Sequence, residues 1–427
     1  MSRTSRSLVA LSLGMLVSIS MNLLFFSLHQ DPIAVETERN LEEFKGKIRP
    51  KRGGPTQPLH AKASPVHNFS ACMLIKDDND ILNEWIAYHY HVLNLRYILV
   101  AVDPASETSP VPILQRWRNL TDLRVNVWAD EDFMPESFLE NGYHIHPRYL
   151  DGDANASKWH EGHEDPAQVI ADKLRINNHR FRQSTFLASC FRHLKKLKKS
   201  WTMHIDTDEY VVVNPFFRRR QKSFGVDVPT VGKEGSVASV LQQINDKEDL
   251  YLASNSHKAC ISMPRVLFGS VEDDTSKRTV PDGYNATTFE TVRWSYHSSY
   301  DDKDRNAQPK VIVDVSSVAR NDEMFQKKVF SIHRPSKELC RRVDQLSFQS
   351  SDHFPLSVNH YLGTWERYVG RNDTRRSHRV YEFKAHVRDN HDAWISSWVG
   401  GFVRTMGHDK AKLLLDDHLL PEAQSVA

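Results

Sequence analysis

The chain has 427 residues, 40% of them hydrophobic and 26% charged, with a formal net charge of +2. Its 20 Phe, 13 Tyr and 9 Trp exclude disorder throughout, and only 17 Gly and 19 Pro exclude a collagen-like fibre. The near-neutral balance gives no electrostatic footprint for nucleic acid, four cysteines are too few for a disulfide-built scaffold, and a mean hydropathy of -0.54 excludes a polytopic membrane protein.

The first predicted element is the uncharged run Leu8 to Leu28. As a helix it would span roughly 31 Å, close to the hydrocarbon thickness of a bilayer. Arg3 and Arg6 precede it and Asp31, Glu36 and Glu38 follow, which leaves the amino terminus in the cytosol. A cleaved signal peptide would have a shorter apolar core and a small-residue cleavage site, and His29-Gln30-Asp31-Pro32 is a poor one. The pattern predicts a cytoplasmic tail over 1–7, a transmembrane signal anchor over 8–28, a Pro- and Lys/Arg-rich stem over 31–67 and a lumenal domain over 68–427. Sequons at Asn68, Asn119, Asn155, Asn285 and Asn372 fit a lumenal, N-glycosylated body. Cys72, Cys190, Cys260 and Cys340 allow two disulfides in any of three connectivities, and buried free thiols are the other reading.

From Ala71 the chain alternates. Ala71–Ile75 reads as a strand, Leu82, Trp85, Ile86 and His89 keep helical spacing, Arg96–Val102 reads as a strand, Val111–Trp117 as a short helix and Leu123–Trp128 as a third strand. That order predicts an α/β fold with a parallel sheet covered on both faces. Ligands bind beyond the carboxyl ends of such strands, where Lys76, Asp77 and Asp103 lie. No glycine-rich dinucleotide or P-loop pattern occurs. A helix from about Gln183 then leads into a buried strand, Trp201–Ile205, which breaks at Asp206-Thr207-Asp208-Glu209 before a second apolar run, Tyr210–Val213. Near the carboxyl end Trp394 to Val403 predicts a core helix interrupted at Gly400-Gly401, and Arg218-Arg219-Arg220 reads as a solvated loop.

Asp-x-Asp occurs five times, at 78–80, 130–132, 151–153, 206–208 and 302–304. Four lie in polar, loop-like surroundings and read as solvated turns. The 206–208 pair sits between two apolar strands, where charge is costly unless something binds it. Paired carboxylates suit a hard cation, Mn²⁺ or Mg²⁺, that neutralises phosphate oxygens, with Thr207 between the ligands. His333 and His360 are the alternatives for a third ligand. The absence of HExxH and CxxC argues against zinc.

Cys72-Met73-Leu74-Ile75-Lys76, followed by Asn83-Glu84-Trp85-Ile86-Ala87-Tyr88-His89, resembles the opening motif of glycosyltransferase family 92, formerly domain of unknown function 23, and its family-2-like relatives. His204-Ile205-Asp206-Thr207-Asp208-Glu209-Tyr210 is similar to their Asp-x-Asp-Glu-Phe element. Phe268-Gly269-Ser270, Lys310-Val311-Ile312-Val313, Ser331-Ile332-His333 and His360-Tyr361 follow in the family's order, so the likeness spans about 71–370. The chain departs from the family at Lys76-Asp77-Asp78, where Lys-Asn-Glu is common, and at Tyr210, where Phe is usual.

The resemblance implies a GT-A fold, a Rossmann-like nucleotide-sugar-binding sheet fused to an acceptor-binding half. It implies sugar transfer, with galactose a candidate, from a nucleotide-sugar donor to a glycan or glycoprotein acceptor in the Golgi. By the same resemblance Asp206, Asp208 and His333 hold the metal, Lys76 and Asp103 lie by the nucleoside, and Phe268, Gly269, Ser270 and His360 line the sugar pocket. The general base is open among Glu272, Asp273, Asp274, Glu290, Asp301 and Asp302, with Glu290 favoured by its apolar neighbours Phe289 and Val292. The alternative is a catalytically inactive, membrane-tethered carbohydrate-binding protein.

Overall fold

The computed structural model describes residues 68–141, 166–247, 259–340 except 279, 303, 307 and 330, then 354–370, 383 and 390–416. The expected tail over 1–7, anchor over 8–28 and stem over 31–67, with sequons Asn155 and Asn372, lie outside the described residues. Among the described residues no helix is long and apolar enough to cross a membrane.

The architecture is mixed α/β with two sheets. The amino-terminal part runs β1 (Phe69–Ile75), α1 (Asn79–Val92), β2 (Leu95–Val102), α2 (Val111–Leu120), β3 (Arg124–Trp128), α3 (Glu136–Asn141), α4 (Pro166–Lys196), β4 (Trp201–His204) and β5 (Glu209–Val213). Next come α5 (Pro215–Arg220), α6 (Ser236–Asn245), β6 (Cys260–Met263), β7 (Arg265–Phe268), α7 (Glu290–Arg293), β8 (Tyr296–His297) and β9 (Lys310–Asp314). The chain closes with β10 (Leu356–Tyr361), α8 (Trp365–Gly370), β11 (Asn390–His391), α9 (Trp398–Met406) and α10 (His408–Leu415).

One sheet has the order β3-β2-β1-β4-β9-β6 and the other β11-β8-β7-β10-β5. From β3 to β4 the first sheet is parallel, while β9 joins β4 and β6 antiparallel. Alternation with period two explains its two covered faces. On β1, Ala71, Met73 and Ile75 enter the core with α1, whereas Cys72 and Leu74 pack with Phe186, Leu187 and Phe191 of α4. The expected parallel, two-sided core is therefore present, with antiparallel strands added on one side.

Two disulfides, Cys72–Cys190 and Cys260–Cys340, decide the pairing left open above. Two expectations need correction. The arginine run forms the helix α5, capped by Asn214, with Arg218 over the ring of Trp394 and Arg220 over that of Phe224. The helix α9 runs straight through Gly400-Gly401, because Gly401 faces the carbonyl of Gly232 so closely that a Cβ there would lie 2.3 Å from it. The glycine permits a close approach and does not break the helix.

Candidate active site

Strands β4 and β5 are consecutive but belong to different sheets, so the chain crosses between sheets at Ile205–Asp208. Polar residues between two apolar runs make this crossing a turn, closed by Glu209 N donating to Asp206 O at 3.1 Å. Trp85 of α1 clamps it, its indole N–H donating to the carbonyls of Asp206 at 3.1 Å and Glu209 at 2.9 Å. Tyr361 N also donates to Asp208 O at 2.8 Å.

The turn brings oxygen atoms of Asp206, Asp208 and Glu209 within 4.8 Å of one another. Glu209 is wholly buried, Asp208 nearly so, and the Asp206 side chain is 55% exposed. The β9–β4 register pairs Val311 with His204, so the preceding Lys310 reaches the turn. Its Nζ lies 2.7 Å from Asp206 Oδ2 and 2.9 Å from Glu209 Oε2. Desolvation raises the Asp206 pKa, but the charge and hydrogen bond of Lys310, with His204 adding to them, together outweigh it and hold the carboxyl below its usual range. Burial alone would lower the Lys310 pKa, and the two carboxylates hold it above its ordinary value instead. The β10–β5 register sets His360 opposite Glu209, and His360 Nε2 lies 3.1 Å from Asp208 Oδ2.

His333 lies outside this carboxylate group. Its Nδ1 sits 3.2 Å from the carbonyl of Pro309, next to Lys310, and burial with Lys310 lowers its pKa to about 3, leaving the imidazole neutral. The third carboxylate in reach of the Asp-x-Asp pair is thus Glu209, which the sequence reading left without a role.

The carboxyl ends of β2, β1 and β4 point one way, so Asp103, Lys76 and the Asp206 turn share a sheet edge. Lys76 is exposed there. Asp103 accepts from Ala105 N at 2.9 Å and lies 3.8 Å from Arg182, a buried residue that also binds Asp130 at 2.6 Å. Phe268 ends β7, with its ring 5.0 Å from that of Tyr361 and its carbonyl accepting from Leu362 N at 2.9 Å. Gly269 has φ +120 and Ser270 φ +66, a bend in which a Cβ on Gly269 would stand 3.1 Å from Leu362 Cβ.

The 78–80 pair is no solvated turn. Thr207 Oγ1 donates to Asp78 Oδ2 at 2.7 Å, and Arg367 lies 3.6 Å from both Asp78 and Asp80. Arg367 also lies 3.7 Å from Glu290 Oε2, which links the favoured base through Arg367 to Asp78 and Thr207. The rival carboxylates Glu272, Asp273 and Asp302 pair with Arg293, Arg278 and Arg305. The sequence signal for Lys310 was a lysine opening the apolar run Val311–Val313; Arg367 had none.

No family model matches the chain, and no curated protein does either. Among solved structures, the 1–349 fragment of TarS from S. aureus aligns over 79% of this chain and 72% of its own, at 11% identity and a TM-score of 0.25. A likeness that slight carries no weight for function, which rests on the site itself.

Proposed function

We propose that this chain is a metal-dependent glycosyltransferase of the GT-A type, anchored as a type II protein in the Golgi membrane. It would move a sugar, galactose being the first to test, from a nucleotide sugar to a glycan or glycoprotein. The observation that carries this reading is the meeting of Asp206, Asp208 and Glu209 within 4.8 Å at the crossing between the sheets. Against these three carboxylates stand the Lys310 ammonium and the Arg265 guanidinium, 3.6 Å from Glu209 Oε1, so the cluster keeps one negative charge, and a divalent ion there would leave positive charge to face a diphosphate. Oxygen-only donors suit Mn²⁺ or Mg²⁺. Asp206 and Asp208 would hold the ion, because Glu209 is wholly buried with both carboxylate oxygens facing cations, Oε2 facing Lys310 at 2.9 Å and Oε1 facing Arg265 at 3.6 Å. Bound there, it supplies positive charge for a diphosphate leaving group.

The remaining roles fall to the chain's own side chains. Lys310 fixes Asp206, and His360 orients Asp208. Glu290 takes the acceptor hydroxyl's proton as that oxygen attacks the anomeric carbon. The bond from that carbon to the phosphate oxygen breaks, and its electron pair leaves with the diphosphate. Two disulfides and the exposed sequons Asn68, Asn119 and Asn285 support an oxidising, glycosylating compartment.

The test is a panel of nucleotide sugars offered to the purified full chain in detergent with Mn²⁺. Turnover of at least one donor, lost in EDTA and restored by Mn²⁺, is expected. Binding of glycans without turnover of any donor would favour the inactive carbohydrate-binding reading.

A further inference from the structure

Glu290 has two buried neighbours, one a carboxyl and one a guanidinium. From α1, the Glu84 carboxylate accepts from Glu290 N at 2.6 Å, Thr291 N at 3.0 Å and Thr291 Oγ1 at 2.6 Å. Trp398 of α9 secures the same hydroxyl, donating to Thr291 Oγ1 at 2.8 Å. Glu84 therefore caps the single turn α7 on which Glu290 rides. From α8, Arg367 stands 3.7 Å from Glu290 Oε2 with its side chain only 10% exposed. Its three guanidinium nitrogens and Glu290 Oε2 make no hydrogen bond among the described residues. Gly363, at φ +76, lies between them, where a Cβ would come within 3.2 Å of both Arg367 and Glu290 Oε2. The carboxylate is thus held close to its partner but not bound tightly to it, an arrangement that leaves an oxygen for a substrate proton.

Resting on the functional reading above, we propose that Glu84 and Arg367 are positioning residues for Glu290, Glu84 fixing the backbone that carries it and Arg367 drawing its carboxylate toward Asp78. The groups facing Glu290 are Glu84 and Asp80 from α1, Arg367 from α8, Arg293 on its own turn, Tyr210 from β5 and Tyr361 from β10. Burial raises the Glu290 pKa, Arg367 opposes that, and Asp80 adds to it. Both tyrosines are buried, and burial drives their pKa values further up, so they stay neutral. Glu84, with its pKa near 8, is neutral while Glu290 titrates, so removing Arg367 moves the Glu290 pKa upward whereas removing the Glu84 cap leaves it in place, a split that a general loss of packing does not produce.

The experiment compares the wild-type full chain with Glu84→Gln, Arg367→Met and Arg367→Lys, using the donor found in the panel. In Arg367→Met the acid limb of the kcat profile is expected to move to higher pH by about one unit, and in Glu84→Gln to stay near its wild-type position. Both variants lose about tenfold or more in kcat while the donor KM stays within about twofold, and Arg367→Lys restores the limb toward wild type. If Glu84→Gln does not fold, as read by circular dichroism, the Met and Lys variants at 367 decide alone. An Arg367→Met limb that stays at the wild-type position, or limbs that move together in the two variants, overturn the inference while leaving the transferase reading intact. A wild-type chain that turns over no donor overturns both.

Discussion

Thr207 donates its hydroxyl at 2.7 Å to Asp78, 129 residues earlier, which joins two Asp-x-Asp pairs. The residue between the proposed metal ligands is thereby tied to the start of α1. Farther along that helix, Glu84 holds the turn carrying Glu290 and Trp85 holds the carboxylate turn.

Asp208→Asn removes a carboxylate without changing volume. Mn²⁺ binding, measured by titration calorimetry, is expected to weaken about tenfold or more. Transfer falls about 100-fold or more, and the thermal midpoint stays close to wild type because like-charge repulsion in the cluster is relieved. Unchanged Mn²⁺ affinity would exclude Asp208 as a ligand.

Trp85→Phe keeps one aromatic ring but deletes the indole N–H shared by two carbonyls, together with part of a fully buried bicycle. About 1–2 kcal/mol of stability is expected to be lost, read from urea unfolding. A wild-type unfolding midpoint would show that water replaces the clamp at no cost.

Stability falls on acidification. Burial lowers the pKa of His89 to about 3 and, with smaller opposing hydrogen bonds, that of His91 to about 4; burial and Lys310 together lower His204 to about 4. The unfolded chain takes up these protons near the ordinary histidine pKa, about 6.5, while the folded chain does not. Stability is therefore present above that value and lost as pH falls through the 6.5-to-4 range, at about 1.4 kcal/mol per unit for each histidine. Thermal midpoints at pH 7 and pH 5 check this, and an equal or higher midpoint at pH 5 would contradict it.

Glu84 acts on the opposite side. Burial raises its pKa to about 8 against the three donated hydrogen bonds, so its contribution is present below the unfolded value near 4.5 and lost as pH rises through 8. Glu84→Gln is expected to flatten the decline in thermal midpoint between pH 6 and pH 9. A decline as steep as in wild type would place its origin elsewhere.

Neighbouring glycines differ. A Cβ on Gly401 would lie 2.3 Å from Gly232 O and 2.6 Å from His91 Nε2, whereas on Gly400 the nearest atom is Arg404 Nη1 at 3.4 Å. Gly401→Ala is expected to cost about 1–3 kcal/mol, and Gly400→Ala to be neutral or stabilising through helix propensity. Equal effects in chemical unfolding would mean that α9 shifts to make room.

Much of the fold was legible in the residues. Strand and helix periods, the break of Trp201–Ile205 at Asp206 and the burial demanded by apolar flanks are local properties, and burial acts on each segment where it stands. Apolar flanks also favoured Glu290, which is buried. What the residues could not disclose is which distant charges meet. Asp78 looked like a solvated turn, Lys310 opened an apolar run with no partner in view, and nothing in the residues singled out Arg367. Strand register put Lys310 against Asp206 and His360 against Asp208, and helix packing put Glu84 under Glu290, 206 residues away. Such pairings follow from how whole sheets and helices pack to bury apolar area, and charged groups then find their partners within the space that packing leaves.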